Sequence, residues 1–232
     1  MAYNNSGNRF QQTTPIVLNL IIINVLVYLA QMVTGGNNEP SASTDLFALH
    51  HYKSTYFQPY QIVTHMFMHG GFFHLLFNMF ALWMFGTMVE RVWGPKRFLI
   101  FYFICGLGAA FFQLGSYAFD FWQIDHTVIS ADFSDQYQAA LRINATVGAS
   151  GAIMGVLAAF GYLFPNTEMI IIPIPVPIKA KWAIMGMIAL DVFGGVVKVQ
   201  GDNIAHFAHI GGALIGFLLV LYWNKSNKKT FY

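Results

Sequence analysis

Six stretches of mostly apolar residues, each close to the length of a membrane crossing, dominate this chain and leave few alternatives for its fold. They run Ile16–Val33, Phe72–Val92, Phe98–Phe119, Gly148–Phe164, Trp182–Val197 and Ile204–Trp223. A hydrocarbon layer roughly 30 Å thick takes about 20 helical residues, at about 1.5 Å each. Lipid offers no partners to a backbone N–H or C=O, so stretches of this kind are expected as helices that satisfy their own hydrogen bonds. Only 9% of the residues are charged and 56% are hydrophobic, whereas a soluble domain carries roughly a quarter charged. The expected fold is an all-α membrane protein, a six-transmembrane-helix bundle in the lipid bilayer. One domain, 16–223, lies between polar tails at 1–15 and 224–232.

Lysine and arginine positions test that count independently, because short cytoplasmic loops gather positive residues. With the N-terminus inside, Arg9, Arg91, Lys96, Arg97, Lys179, Lys181, Lys225, Lys228 and Lys229 fall on the cytoplasmic side, and only Lys53, Arg142 and Lys198 fall outside. The outer connection between the third and fourth spans carries Asp120, Asp125, Asp132 and Asp135. "IIIPIPVPIK" is apolar enough to imitate a span, but Pro173, Pro175 and Pro177 remove donors at every second residue and forbid a helix, so an extended interfacial loop is expected. The first span follows a head with no small-residue cleavage site and reads as retained. A lone cysteine, Cys105, excludes an intrachain disulfide, and a net charge of +2 gives no reason to expect a nucleic-acid partner.

Polar residues at membrane depth are expensive, which makes each a functional candidate. His74 and Asn78 stand four apart in "HLLFN" and share one helix face. Ser150 opens the fourth span in "VGASGAIMG", and His206 and His209 lie in "AHFAHIGG" of the sixth. The second, fourth and sixth spans all run from outside to inside, so these residues gather at one depth near the outer leaflet. Gly151 with Gly155, and Gly212 with Gly216, form two G-x-x-x-G stripes, and Gly148 precedes Ser150 by two; small stripes let helix backbones approach closely in lipid. Close approach would bring the Ser150 hydroxyl to the His209 imidazole, the arrangement a serine nucleophile needs.

Each residue also has a plainer reading. A serine among glycines is more often a packing residue, an intramembrane histidine can be a satisfied core group or a haem ligand, and an asparagine can join helices. Their coincidence at one depth on three helices favours chemistry, since packing accidents would scatter. Attack on an amide then needs donors for the developing oxyanion, each worth about 3 kcal/mol, and His74, Asn78 and the Ser150 backbone N–H are the candidates. No aspartate is clearly placed to complete a triad; Asp191 reads as a polar residue near the outer water boundary. Glu90 and Arg91 read as interfacial charges, and His50, His51, His65 and His126 as solvated.

Taken together, "GASG" around Ser150, "HLLFN" around His74 and Asn78, "AHIGG" around His209 and the upstream "THMFMHGGFFH" resemble the rhomboid intramembrane serine proteases. The resemblance covers about Ile16–Trp223 and implies a rhomboid-like six-span bundle. It implies a Ser150–His209 dyad cleaving single-pass transmembrane substrates near a helix-destabilised outer segment, with no metal and no cofactor. His69 would then support the outer cavity. Many members carry a tyrosine four residues after the nucleophile, packed on the catalytic imidazole; Met154 stands there and would orient the ring less firmly. The alternatives are a non-catalytic rhomboid-like factor that binds membrane proteins and, from another class, a haem or ion-conducting protein. The expected location is a bacterial inner membrane with both termini cytoplasmic.

Overall fold

The computed structural model describes residues 14–35, 41–125, 134–171, 174–197 and 204–226. Arg9, His126, Asp132, Pro173, Lys198, Lys228 and Lys229, named above from sequence, lie outside these, as do residues 1–13 and 227–232 of the two tails. In chain order the elements are α1 (Pro15–Gly35), α2 (Ala42–Phe47), α3 (Gln61–Thr64), α4 (Phe72–Ala81), α5 (Thr87–Trp93), α6 (Pro95–Asp125), α7 (Ser134–Ile143), α8 (Ser150–Leu163), β1 (Glu168–Ile171), β2 (Ile174–Lys179), α9 (Ala180–Val197) and α10 (His206–Ser226). A 3-10 turn, His65–Phe67, follows α3, and a π-helical turn, Leu82–Gly86, joins α4 to α5.

Among the described residues, five helical stretches are long and apolar enough to cross a membrane: α1, the continuous Phe72–Trp93, α6, α9 and α10. The remaining expected span, Gly148–Phe164, is α8, which has only 14 residues. At about 1.5 Å per residue it covers roughly 21 Å, short of a full crossing. Every residue from Gly151 to Phe160 is buried, the mark of a helix enclosed on all sides. Its most extensive partners are α10 and α6, which also pack on one another. By contrast α1 and α9 lie at the periphery, with most of their apolar side chains turned outward.

The junction "ERVWGPKR" ends one helix and begins the next. Gly94, at φ 79°, takes the left-handed conformation that closes α5, and Pro95 opens α6 where a missing N–H leaves nothing unpaired. Glu90 departs from the sequence expectation. It is 1% exposed, and its carboxylate accepts the N–H groups of Ile16 (3.0 Å) and Val17 (2.9 Å), capping the positive end of α1. On the same side of the bundle, the Arg97 guanidinium lies over the Trp223 ring at 4.3 Å.

The proline-rich stretch is extended, as expected, but it is also paired: β1 and β2 form an antiparallel hairpin with Glu168 opposite Lys179 and Met169 opposite Ile178. A two-stranded ribbon leaves each strand a free edge, so Pro175 and Pro177 fit within β2. This hairpin is the one departure from all-helical structure that has more than a single bridge among the described residues.

The connection between α1 and α4 is built around Gln61, fully buried, whose amide donates to the carbonyls of Asp45, Leu46 and Tyr56 and whose oxygen accepts from Gln58 N–H. Arg142 of α7 pairs through two nitrogens with the Asp45 carboxylate of α2, at 2.8 and 2.6 Å. His50, His51 and His65, expected to be solvated, are all buried, because the connection folds inward over them. His51 Nδ1 accepts the Lys53 N–H and its Nε2 donates to the Tyr117 carbonyl, while His65 Nδ1 bonds the Gln61 carbonyl.

Candidate active site

Ser150 is the first residue of α8, and the loop leading to it is held from three directions. Leu49 and Thr146 exchange backbone hydrogen bonds, 2.9 Å each. The Tyr117 hydroxyl donates to the Asn144 carbonyl and bonds the Thr146 hydroxyl. Gly148 N–H donates to the His65 carbonyl at 2.9 Å. Gly148 itself has φ 129°, a conformation that disfavours any side chain. The loop therefore delivers Ser150 at the open N-terminal end of α8, where the first helical N–H groups have no acceptor within the helix.

On α10, His209 Nε2 lies 2.8 Å from Ser150 Oγ. The approach rests on missing side chains. A methyl on Gly212 would overlap the Gly151 carbonyl, and one on Gly216 would come within 2.6 Å of the Gly155 α-carbon. Gly155 is equally tight against Cys105 of α6 and would meet the Gly212 carbonyl at 3.0 Å. Gly151, Gly155, Gly212 and Gly216 thus face each other along the α8–α10 seam, while Gly148 serves the loop above it.

His209 Nδ1 lies 3.0 Å from Asp191 Oδ1 on α9, which also bonds His206 Nδ1 at 2.8 Å. Asp191, expected at the outer water boundary, is instead 13% exposed and turned into the bundle, because α9 packs against α10 through that face. Side chains from α4, α8, α9 and α10 all contribute to the site.

His74 and Asn78 reach it from α4. Gly70 N–H donates to His74 Nδ1 at 3.4 Å, leaving Nε2 to carry the ring proton. A methyl on Gly148 would lie 2.9 Å from His74 Nε2 and 3.5 Å from Ser150 Oγ, so imidazole and hydroxyl flank the same small residue. The Asn78 side-chain nitrogen is buried and has no hydrogen-bond partner among the described residues. His69 packs edge-on against His74, ring centres 5.2 Å apart, and is 2% exposed, so any support it gives comes from behind the site. Gln31 of α1 fixes it: its amide donates to the His69 carbonyl (3.1 Å) and accepts the His69 N–H (3.0 Å). Burial pushes the imidazoles of His65 and His69 down to about 4, so both are neutral near pH 7. Met154, one turn beyond Ser150, is buried in the apolar core. Among the described residues no cluster of three or more His, Cys, Asp or Glu could hold a metal ion.

Sequence reasoning passed over Gln31 and set Asp191 aside. The available signal was the same for both, a polar side chain inside an apolar stretch.

A family model described as the Rhomboid domain matches residues 56–226. The chain belongs to the rhomboid family. It is 31% identical over 212 residues to Rhomboid protease AarA of Providencia stuartii, covering 88% of this chain and 70% of that one. It is 30% identical over 168 residues to Rhomboid protein 1, mitochondrial, of Saccharomyces cerevisiae, where it covers 72% of this chain and spans 43% of the yeast protein. Rhomboid protease GlpG of Yersinia pestis is 26% identical over 219 residues, covering 93% of this chain and 65% of that protein. This rhomboid is a multi-pass membrane protein, with its hydroxyl, imidazoles and carboxylate inside the helical bundle.

Proposed function

We propose that this rhomboid is an intramembrane serine endopeptidase acting on single-pass transmembrane proteins. The observation that carries the reading is the 2.8 Å contact between Ser150 Oγ and His209 Nε2 inside a membrane bundle. The Ser150 oxygen attacks the scissile carbonyl carbon while its proton passes to His209 Nε2. The oxyanion that develops is met by the Ser150 backbone N–H, by His74 Nε2–H and by the Asn78 amide, whose unpaired buried donor suits an acceptor that exists only during the reaction. His209 returns the proton to the leaving amine as the C–N bond breaks, and water then hydrolyses the acyl-enzyme by the same route in reverse.

The reading is supported by two relatives, Rhomboid protease AarA of Providencia stuartii and Rhomboid protease GlpG of Yersinia pestis. A non-catalytic binding role would leave the hydroxyl–imidazole contact without a purpose. We assign the protein to a bacterial inner membrane with both termini cytoplasmic, on its lysine and arginine distribution and on its bacterial relatives.

The test is labelling of the detergent-purified protein by a fluorophosphonate, together with cleavage of a panel of single-span reporters. Labelling and cleavage should both vanish in Ser150→Ala, and cleavage in His209→Ala. Labelling that persists in Ser150→Ala would remove Ser150 as the nucleophile.

A further inference from the structure

The carboxylate of Asp191 carries two imidazoles on one oxygen, and neither contact is needed merely to join α9 to α10. An acid inside a membrane span is costly, and one that only bridged helices would be replaceable by a neutral group. An ionised carboxylate can only accept, so each Nδ1 facing it carries a proton. For His209 this determines the other nitrogen: with Nδ1 protonated and donating to Asp191 at 3.0 Å, Nε2 is left with its lone pair, 2.8 Å from the Ser150 hydroxyl. His206 donates to the same oxygen at 2.8 Å. Its ring lies so tightly on Gly194 that no side chain fits there, and a methyl on Gly195 would meet His206 Cβ at 3.3 Å. Thus α9 supplies both the carboxylate and the seat for the second imidazole that steadies it.

We propose that Asp191 is the positioning residue of this site, holding His209 in the tautomer that accepts the Ser150 proton and stabilising the imidazolium formed when it does, with His206 fixing the carboxylate in place. The site then works as Ser150, His209 and Asp191 in line, one member more than the pair read from sequence. This rests on the protease reading above. Asp191 touches no substrate; it acts through His209. Asparagine at 191 can turn its amide N–H toward His209 Nδ1, which moves the ring proton to Nε2 and leaves no base for the hydroxyl.

The experiment measures turnover of a single-span reporter in proteoliposomes by wild type, Ser150→Ala, His209→Ala, Asp191→Asn, Asp191→Glu and the double variant Asp191→Asn/His209→Ala, with thermal unfolding of each. Asp191→Asn is expected to lower kcat by about 10- to 10⁴-fold with KM within about threefold, since only a transition-state interaction is lost. In the His209→Ala background it should lower the residual rate by less than about twofold, because residues acting as a unit are not additive. Asp191→Glu keeps the charge and should recover at least about tenfold over Asp191→Asn; it also serves if the asparagine variant does not fold. A folded Asp191→Asn with kcat within about threefold of wild type, an equal loss in folded Asp191→Glu, or a full further loss on top of His209→Ala each overturns the positioning role. Absence of cleavage by wild type sinks the protease reading and this role with it. Wild-type cleavage that depends on Ser150, beside a fully active Asp191→Asn, sinks this one alone.

Discussion

Gly212 and Gly151 meet backbone to backbone: a methyl on Gly212 would overlap the Gly151 carbonyl oxygen. A carbonyl inside a helix cannot swing aside, so Gly212→Ala must push α10 away from α8. Overpacking of this kind destabilises by about 1–3 kcal/mol, and the upper end is expected. A displacement of about 1 Å at a reacting pair costs about 100-fold in rate, so reporter turnover should fall by at least that order. Gly186, on α9, has open space where a methyl would go, and Gly186→Ala is the matched control. Equal melting temperatures for the two variants would contradict the described seam.

Gly148→Ala tests the loop ahead of the serine. The residue would have to keep φ 129° and place its methyl 2.9 Å from His74 Nε2. Backbone strain at such a position is about 1–3 kcal/mol. The expected result is a rate of fluorophosphonate labelling reduced by at least about tenfold, since His74 must move. Labelling at the wild-type rate would mean the loop has room to spare.

Glu90→Gln keeps the shape of the α1 cap and removes its charge. A charge-assisted hydrogen bond is worth roughly twice a neutral one, so the variant should lose about 1–2 kcal/mol of stability. Glu90→Ala, which strands the Ile16 and Val17 N–H groups, should lose more. Both changes sit far from Ser150, and turnover per folded molecule should stay within about threefold of wild type. Thermal unfolding in detergent, paired with turnover at a permissive temperature, separates the two effects.

The pH dependence of stability should carry the signature of two buried imidazoles. His65 and His69 have their ordinary value of 6.5 lowered to about 4, so the unfolded chain binds more protons than the folded one between those limits. Stability is complete above about pH 6.5 and declines as pH falls toward 4, by at most about 1.4 kcal/mol per unit for each histidine. His65→Gln should flatten that decline by one histidine's share. An unchanged slope would show that His65 is open to water.

Much of this arrangement was legible from residue order alone, and the remainder was hidden for physical reasons. The apolar stretches predict helices because lipid forbids an unpaired backbone and runs of this length suit a helix crossing, and the stretches beginning near Ile16, Phe72, Phe98, Trp182 and Ile204 each emerge as a long helix. The polar residues they carry were readable as a set because Ser150, His74, Asn78 and His209 share a depth. Asp191 could not be read this way: its depth is similar, but nothing local tells which side of α9 faces α10. Glu90 looked interfacial because its partners, the N–H groups of Ile16 and Val17, lie more than 70 residues away in the chain. The burial of His50 and His51 depends on the α1–α4 connection folding inward around Gln61, a long-range arrangement with no periodic signature. The β1–β2 pairing was masked by prolines, which exclude helix without announcing a partner strand.

The wide turn at Leu82–Gly86 allows a single membrane helix to serve both ends of the bundle. Asn78 and Glu90 are twelve positions apart and both are buried. In a regular helix, at about 100° per residue, twelve steps would leave them about 120° out of phase, with one of them turned toward lipid. Absorbing one residue in a π turn leaves only about 20° between them. Closing this turn into regular α-helix with every residue kept would lose that phase, so that either the amide at one end or the carboxylate at the other would have to face the hydrocarbon, whereas deleting one residue from it would leave an unbroken α-helix with the phase intact.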